Sequence, residues 1–255
     1  VKFLFINLLV ALLTAGELAA AKVFTFQSGK NGAYIRGSLG TNGVGKKLFE
    51  DASATAVVYD DEKSTGTFSA EIGAQLSFES FNLRFGLETL RPKSVESTAA
   101  IGANDQFTVT SEIFSYGPTV TLEFVATTMQ SVRFFYFAGG AYHWITMDNA
   151  YAFTPAGLTT FNPQTDHTEK AETTAVSYFA GMGFEMMFAD NVTLAGDFGY
   201  RYMPVAGLKH SKAGQDMAQG TVLKGASVKN ADGSDREFDL SGFTVALGFR
   251  FYIDI

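Results

Sequence analysis

Thr67-Phe68-Ser69-Ala70-Glu71-Ile72-Gly73-Ala74-Gln75-Leu76-Ser77-Phe78 decides the fold. From Phe68 onward every second residue is apolar: Phe68, Ala70, Ile72, Ala74, Leu76 and Phe78. The residues between are small or polar. Side chains alternate across a strand, so this segment has one greasy face and one polar face. Its 12 residues span roughly 40 Å at ~3.3 Å per residue. Ordinary strands stop near half that length. Tilted by ~40°, the segment covers roughly 30 Å of height, enough for the apolar band of an outer membrane.

The same alternation recurs at Ala33 to Gly40, Asn82 to Leu90, Glu112 to Phe124, Thr174 to Phe188, Val192 to Met203 and Asp239 to Ile255. Val132 to Ile145 makes an eighth strand of ambiguous parity, because Arg133, Phe135 and Phe137 share a face. Pro118 predicts a bulge in its strand. Short turns fall near Glu79-Ser80, Thr127 to Met129 and Asp190-Asn191. Long polar connections fall at 41–66, 91–111, 146–173 and 204–238. An up-and-down barrel of even strand number has this rhythm, with short turns at one end and long loops at the other. The fold predicted is therefore all-β: an eight-stranded antiparallel up-and-down transmembrane β-barrel with four long extracellular loops and short periplasmic turns.

Charge placement sets the direction of the faces. The polar faces carry Arg36, Arg84, Arg133, Arg201 and Arg250 against Glu71, Glu88, Glu123, Glu185 and Asp197. Every one of these cations is Arg, although the chain also has 12 Lys. A guanidinium holds carboxylates bidentately and suits dense, partly dry ion pairs. A water-washed strand face would use Lys as well. The ten residues thus read as an ion-pair network in the lumen. The alternative is a soluble lipocalin-like carrier with its apolar face inward. Aromatics collect at strand ends, as two interfacial girdles require. Phe78, Phe81, Phe124, Phe188 and Phe251 lie at the short-turn end; Phe68, Trp144, Tyr202 and Phe243 lie at the loop end.

Composition bounds the rest. The 255 residues are 46% hydrophobic and 14% aromatic, which excludes a disordered chain. The absence of Cys excludes disulfides and thiolate chemistry. A net charge of −7 argues against a nucleic-acid partner. Lys2, the apolar run from Phe3 to Leu13 and the small residues Ala19-Ala20-Ala21 read as a cleaved export signal over 1–21. Residues 22–32 form a periplasmic lead and 33–255 the barrel.

On these residues the chain resembles the small eight-stranded outer-membrane barrels of Gram-negative bacteria: the OmpA transmembrane domain, OmpW and the opacity-type surface proteins. Three stretches within 30–255 carry the resemblance. The first runs from Gly181-Met182-Gly183-Phe184-Glu185 through Asp190-Asn191 to Tyr200-Arg201-Tyr202. The second is the closing strand from Ser241 to Phe251, and the third is Tyr116-Gly117-Pro118-Thr119. The family ends in Phe or Trp, which the barrel-insertion machinery reads; here Phe249 and Phe251 precede Ile253-Asp254-Ile255. The resemblance implies a monomer in outer-membrane lipid and lipopolysaccharide, inserted through its C-terminal strand.

Chemistry is sparse. Gly40 to Lys46 has phosphate-loop spacing, but Lys47 stands where Ser or Thr is needed. His143 is placed near the rim beside Trp144; a lipid hydrolase would need a Ser and a carboxylate next to it, facing lipid. His167 and His210 read as solvated loop residues, and Asp60-Asp61-Glu62 as a hydrated loop tip. No catalytic residue, cofactor or metal site is assigned. The sequence reading is a structural or surface-interaction role: a plugged barrel whose loops meet an extracellular partner. The alternative is a narrow OmpW-like passage for small hydrophobic compounds, with an apolar pocket from Phe153, Leu158 and Phe161.

Overall fold

Each barrel strand alternates between apolar and polar residues, and closing the strands into a ring buries every polar face at once. A computed structural model describes residues 31–44, 48, 57–59, 65–78, 80–129, 131–161, 167–189, 191–216, 220–230 and 233–253. The leader, most of the lead, the acidic tip and the last two residues lie outside these. In chain order the elements are β1 (Asn31–Asn42), β2 (Val57–Tyr59), β3 (Thr65–Ser77), β4 (Phe81–Pro92), β5 (Val95–Ile101), β6 (Asn104–Thr128) and β7 (Val132–Phe153). A short helix α1 (Pro155–Phe161) precedes β8 (Thr168–Ala189), β9 (Val192–Tyr202), β10 (Pro204–Val205), β11 (Lys209–His210) and β12 (Gly214–Asp216). β13 (Gly220–Val222), β14 (Phe238–Asp239) and β15 (Gly242–Ile253) complete the chain. The antiparallel ring runs β1-β3-β4-β6-β7-β8-β9-β15 and closes where β15 pairs back onto β1.

The faces point as the charges require. Ile35, Leu39, Phe68, Ile72, Leu87, Val245 and Leu247 are outward and at least half exposed. Glu71, Gln75, Arg84, Glu88 and Glu123, on the alternate positions, are 5% exposed or less. This arrangement overturns the lipocalin-like alternative. Strand β7 resolves its parity in favour of the odd positions: Arg133, Phe135, Phe137 and His143 all point inward and are buried. Gly73 and Gly86 pair across β3 and β4. A Cβ at either would lie within 2.7 Å of the Tyr34 hydroxyl, so both must be Gly for that ring to enter the lumen. Asn191 takes φ 61° in the turn between β8 and β9, a conformation Asn tolerates.

Four expectations need correction. Segments 91–111 and 146–173 are not open loops. β5, the first part of β6, the end of β7 and the start of β8 carry the sheet well beyond the girdle, because Val95, Ser97, Ala99, Phe107 and Val109 keep burying one face. The bulge near Pro118 is absent: β6 holds one register against β7 from Tyr116↔Trp144 to Thr119↔Ala141, and the shift comes later, between Val125 and Thr127. β1 begins at Asn31, inside the expected lead. Finally, charges do not fill the whole interior. Around the outer mouth Val44, Leu48, Leu90, Val95, Ile113, Ile145, Met147, Met203, Val205, Leu208, Val228, Phe238 and Leu240 form one buried apolar cluster. The described parts of 203–240 thus form a strap whose Met203, Val205, Leu208, Val228, Phe238 and Leu240 fold back into the mouth.

Candidate functional site: the ion-paired lumen and its apolar cap

Nine of the ten charged residues are buried, and the side chain of the tenth, Arg36, is 12% exposed. They form two layers. Towards the short turns, Arg250 bridges Glu123 at 2.8 Å and Glu185 at 3.0 Å. Arg84 joins Glu123 at 3.1 Å, and Arg133 donates from Nε to Glu185 at 2.7 Å. Tyr252 donates to Glu185 and accepts from Arg133 Nη2 at 2.8 Å. Gln75 accepts from Arg250 at 3.0 Å. Arg250 also lies over the Phe135 ring, 5.0 Å from its centroid.

In the layer above, Arg36 grips Asp197 with two bonds of 3.0 and 2.8 Å and reaches Glu71 at 3.3 Å. Tyr34 and Thr119 donate to Glu71 at 2.5 and 2.9 Å. Arg201 crosses the lumen from β9 to β4 and donates from Nη2 to both oxygens of Glu88, at 2.7 and 2.8 Å. Its Nε and Nη1 have no hydrogen-bond partner. A cavity of about 10 Å³ lies among Arg36, Glu71, Glu88 and Arg201. That is room for about one water molecule, not for a hydrated ion.

His143 is not at a lipid-facing rim. It lies in the lumen, fully buried, with Ser115 at 2.9 Å from Nδ1 and Ser177 at 3.2 Å from Nε2. Glu88 is 3.9 Å from Nε2. Serine, imidazole and carboxylate therefore meet, but both serines are also sealed at 0% exposure. A lipid hydrolase needs this trio on the outer wall. Its parity with Arg133, ten residues earlier on β7, was the signal for an inward His143. Tyr34, Gln75 and Tyr252 carry the same signal relative to Arg36, Glu71 and Arg250.

His167 and His210 are likewise buried rather than solvated. His210, on the strap, lies 3.9 Å from Glu169. Glu169 is held by Arg236 at 3.1 Å, by Asn149 and Tyr151 at 2.9 Å each. Burial alone raises the Glu169 carboxyl, but Arg236 and these donors bring it below the ordinary carboxylate range. The proposed apolar pocket does not form: Phe153 and Phe161 pack on Phe107 at 5.4 and 5.6 Å, while Leu158 is 52% exposed. Among the described residues, no three metal-ligating side chains gather.

Outside, Phe68, Trp144, Tyr202 and Phe243 face outward at the loop end, 43–55% exposed. Phe78, Phe124, Phe188 and Phe251 face outward at the short-turn end, 44–64% exposed. Phe81 is half-buried and stacks on Phe78 at 4.5 Å. From Phe68 to Phe78 the tilted strand rises roughly 25 Å, the height of an outer-membrane apolar band. Exposed ion pairs begin at the level of the upper ring, with Arg91 and Glu112, and continue above it with Lys170 and Asp148.

An outward apolar band between aromatic rings around a dry ionic lumen defines an eight-stranded β-barrel of the outer membrane. Solved structures with a similar strand arrangement include Neisserial surface protein A, with 13% identity and TM-score 0.42 over 87% of this chain and 97% of that one. OprG of Pseudomonas aeruginosa matches at 11% identity and TM-score 0.43, over 89% and 98%. The outer-membrane protease OmpT of Escherichia coli matches at 9% identity and TM-score 0.44, over 91% and 99%. No family model matches the chain. No curated protein matches it either.

Proposed function

We propose that the protein is a closed, non-enzymatic pedestal that anchors an extracellular β-extension in the outer membrane and presents it to a partner outside the cell. One observation carries the reading: charge layers and an apolar cap occupy the lumen in turn, and the cavity between the upper ion pairs measures only about 10 Å³. The strands around that plug continue outward as a sheet of β2, β5, β6, β7, β8 and β11. A plugged barrel under a hydrogen-bonded sheet suits surface contact better than passage of solutes. The buried His143 has no route to a substrate, which supports the non-enzymatic reading. Lipopolysaccharide around the wall and recognition of the closing strand β15 by the insertion machinery belong to the same proposal.

Planar-bilayer recording tests it. The purified protein is expected to give no steady conductance. Deleting the strap over 206–237 is expected to leave conductance absent or small, because the two ionic layers stay in place. Steady large conductance from the intact protein would contradict the closed lumen.

A further inference from the structure

The outer wall is not uniformly smooth. A groove of about 410 Å³ opens where the apolar band ends, at the upper ends of β1, β3 and β4. Its floor is Leu39 and Phe68, which are 65% and 54% exposed. Gly66, outward beside them, contributes no side chain; a Cβ there would come no closer than 3.9 Å to any atom. The rim is polar, with Arg91, Lys93 and Ser94 exposed.

An irregularity in the sheet builds that rim. β6 pairs with β4 up to Leu90↔Ser115 and with β5 from Val95↔Ser111. Residues 91–94 therefore oppose only 112–114. The extra residue turns Lys93 and Ser94 to the same side, as a bulge does. Arg91 is the register partner of Phe68, so its guanidinium starts at girdle height, where lipid headgroups lie. Among the residues lining the groove, two bases, Arg91 and Lys93, meet one acid, Glu112. Arg91 touches Glu112 through Nη2 at 3.4 Å, with both side chains more than 60% exposed. Such a pair is weak, and the rest of the fork remains for a second anion.

We propose that this groove holds one phosphorylated lipid of the outer leaflet, its phosphate between Arg91 and Lys93 and an acyl chain along Leu39 and Phe68. The site needs only the membrane location; it stands whether or not the extension has a partner.

Native mass spectrometry of the full protein released from detergent micelles tests this. The probes are a bis-phosphorylated acylated glucosamine disaccharide (lipid A), its dephosphorylated form, and inorganic phosphate as competitor. One bis-phosphorylated lipid per barrel is expected to be retained in preference to the dephosphorylated form. The double variant Arg91→Ala/Lys93→Ala is expected to weaken retention about tenfold or more. Gly66→Phe, which fills the groove and leaves the charges, is expected to weaken it comparably. Lys212→Ala/Lys224→Ala removes the same charge from the strap and is expected to change nothing. Heat-modifiable gel migration confirms that each variant is folded. Equal retention of the dephosphorylated lipid, full retention by both groove variants, equal loss in the strap control, or displacement by inorganic phosphate alone would each overturn the proposal.

Discussion

Glu71 and Glu88 face each other in register across β3 and β4, both in the lumen. Two carboxylates so placed destabilise a sheet unless each has its own cation. Arg36 serves Glu71 from the neighbouring strand, and Arg201 serves Glu88 from across the barrel. Taking Arg201 away strands a dry carboxylate beside a second one. Arg201→Ala is therefore expected to lower unfolding stability by about 3–5 kcal/mol, read from denaturant unfolding in lipid or detergent. Arg91→Ala, which removes an exposed pair, is expected to cost less than about 1 kcal/mol. Equal effects of the two would argue against a buried network. At this scale parity makes the inward residues legible, since each Arg and acid sits two, four or more even steps from another polar residue. The pairing is not legible, because Arg201–Glu88 and Arg250–Glu123 form only once the ring has closed.

The elements repeat one pattern with different outcomes. Strands β3 and β4, and β8 and β9, join where the sequence places their turns, as Asp190-Asn191 interrupts the alternation; the turn after β6 comes later than expected, because Thr127 and Thr128 still pair with Phe134 and Arg133. The extension is hard to read as strand because small inward residues, Ser97, Ala99, Ser111 and Ala171, interrupt larger ones such as Val95, Phe107 and Val109. Their period of two is intact, but side chains of that size carry little hydrophobic contrast. The strap has no period at all. Its Leu208 and Val228 are buried by backbone bonds between short irregular segments, such as Val228 N to Leu208 O at 2.9 Å. Polar anchoring comes from Arg236 to Glu169 on β8. A carboxyl whose folded pKa is depressed stabilises the fold above its unfolded value near ~4.3, and that contribution fades as pH falls through the lower folded value. The strap amides from Leu208 to Val228 are therefore expected to exchange faster at pH 3 than at pH 7, after correction for intrinsic rates. Glu169→Gln is expected to speed them at pH 7 and to abolish the acid response. Unchanged exchange in both cases would mean that the apolar cluster alone holds the strap.

For the whole molecule, the decisive quantity is which face of each strand meets lipid. Eight alternating segments, three short turns and an all-arginine set of lumen cations made the barrel legible from residues alone. The two-tier interior was not, because the cap comes from segments without periodicity that find their place only inside a finished barrel. The native chain contains no cysteine, so single cysteines can be placed along β3 without background. Spin labels at 68, 70, 72, 76 and 78, with 69 and 77 as alternates, would be read for collision with oxygen dissolved in bilayer lipid and with a water-soluble nickel chelate. The even positions are expected to be open to oxygen and closed to nickel, and the two odd positions closed to both. The opposite phase, or no alternation, would contradict an outward apolar wall around a sealed ionic lumen.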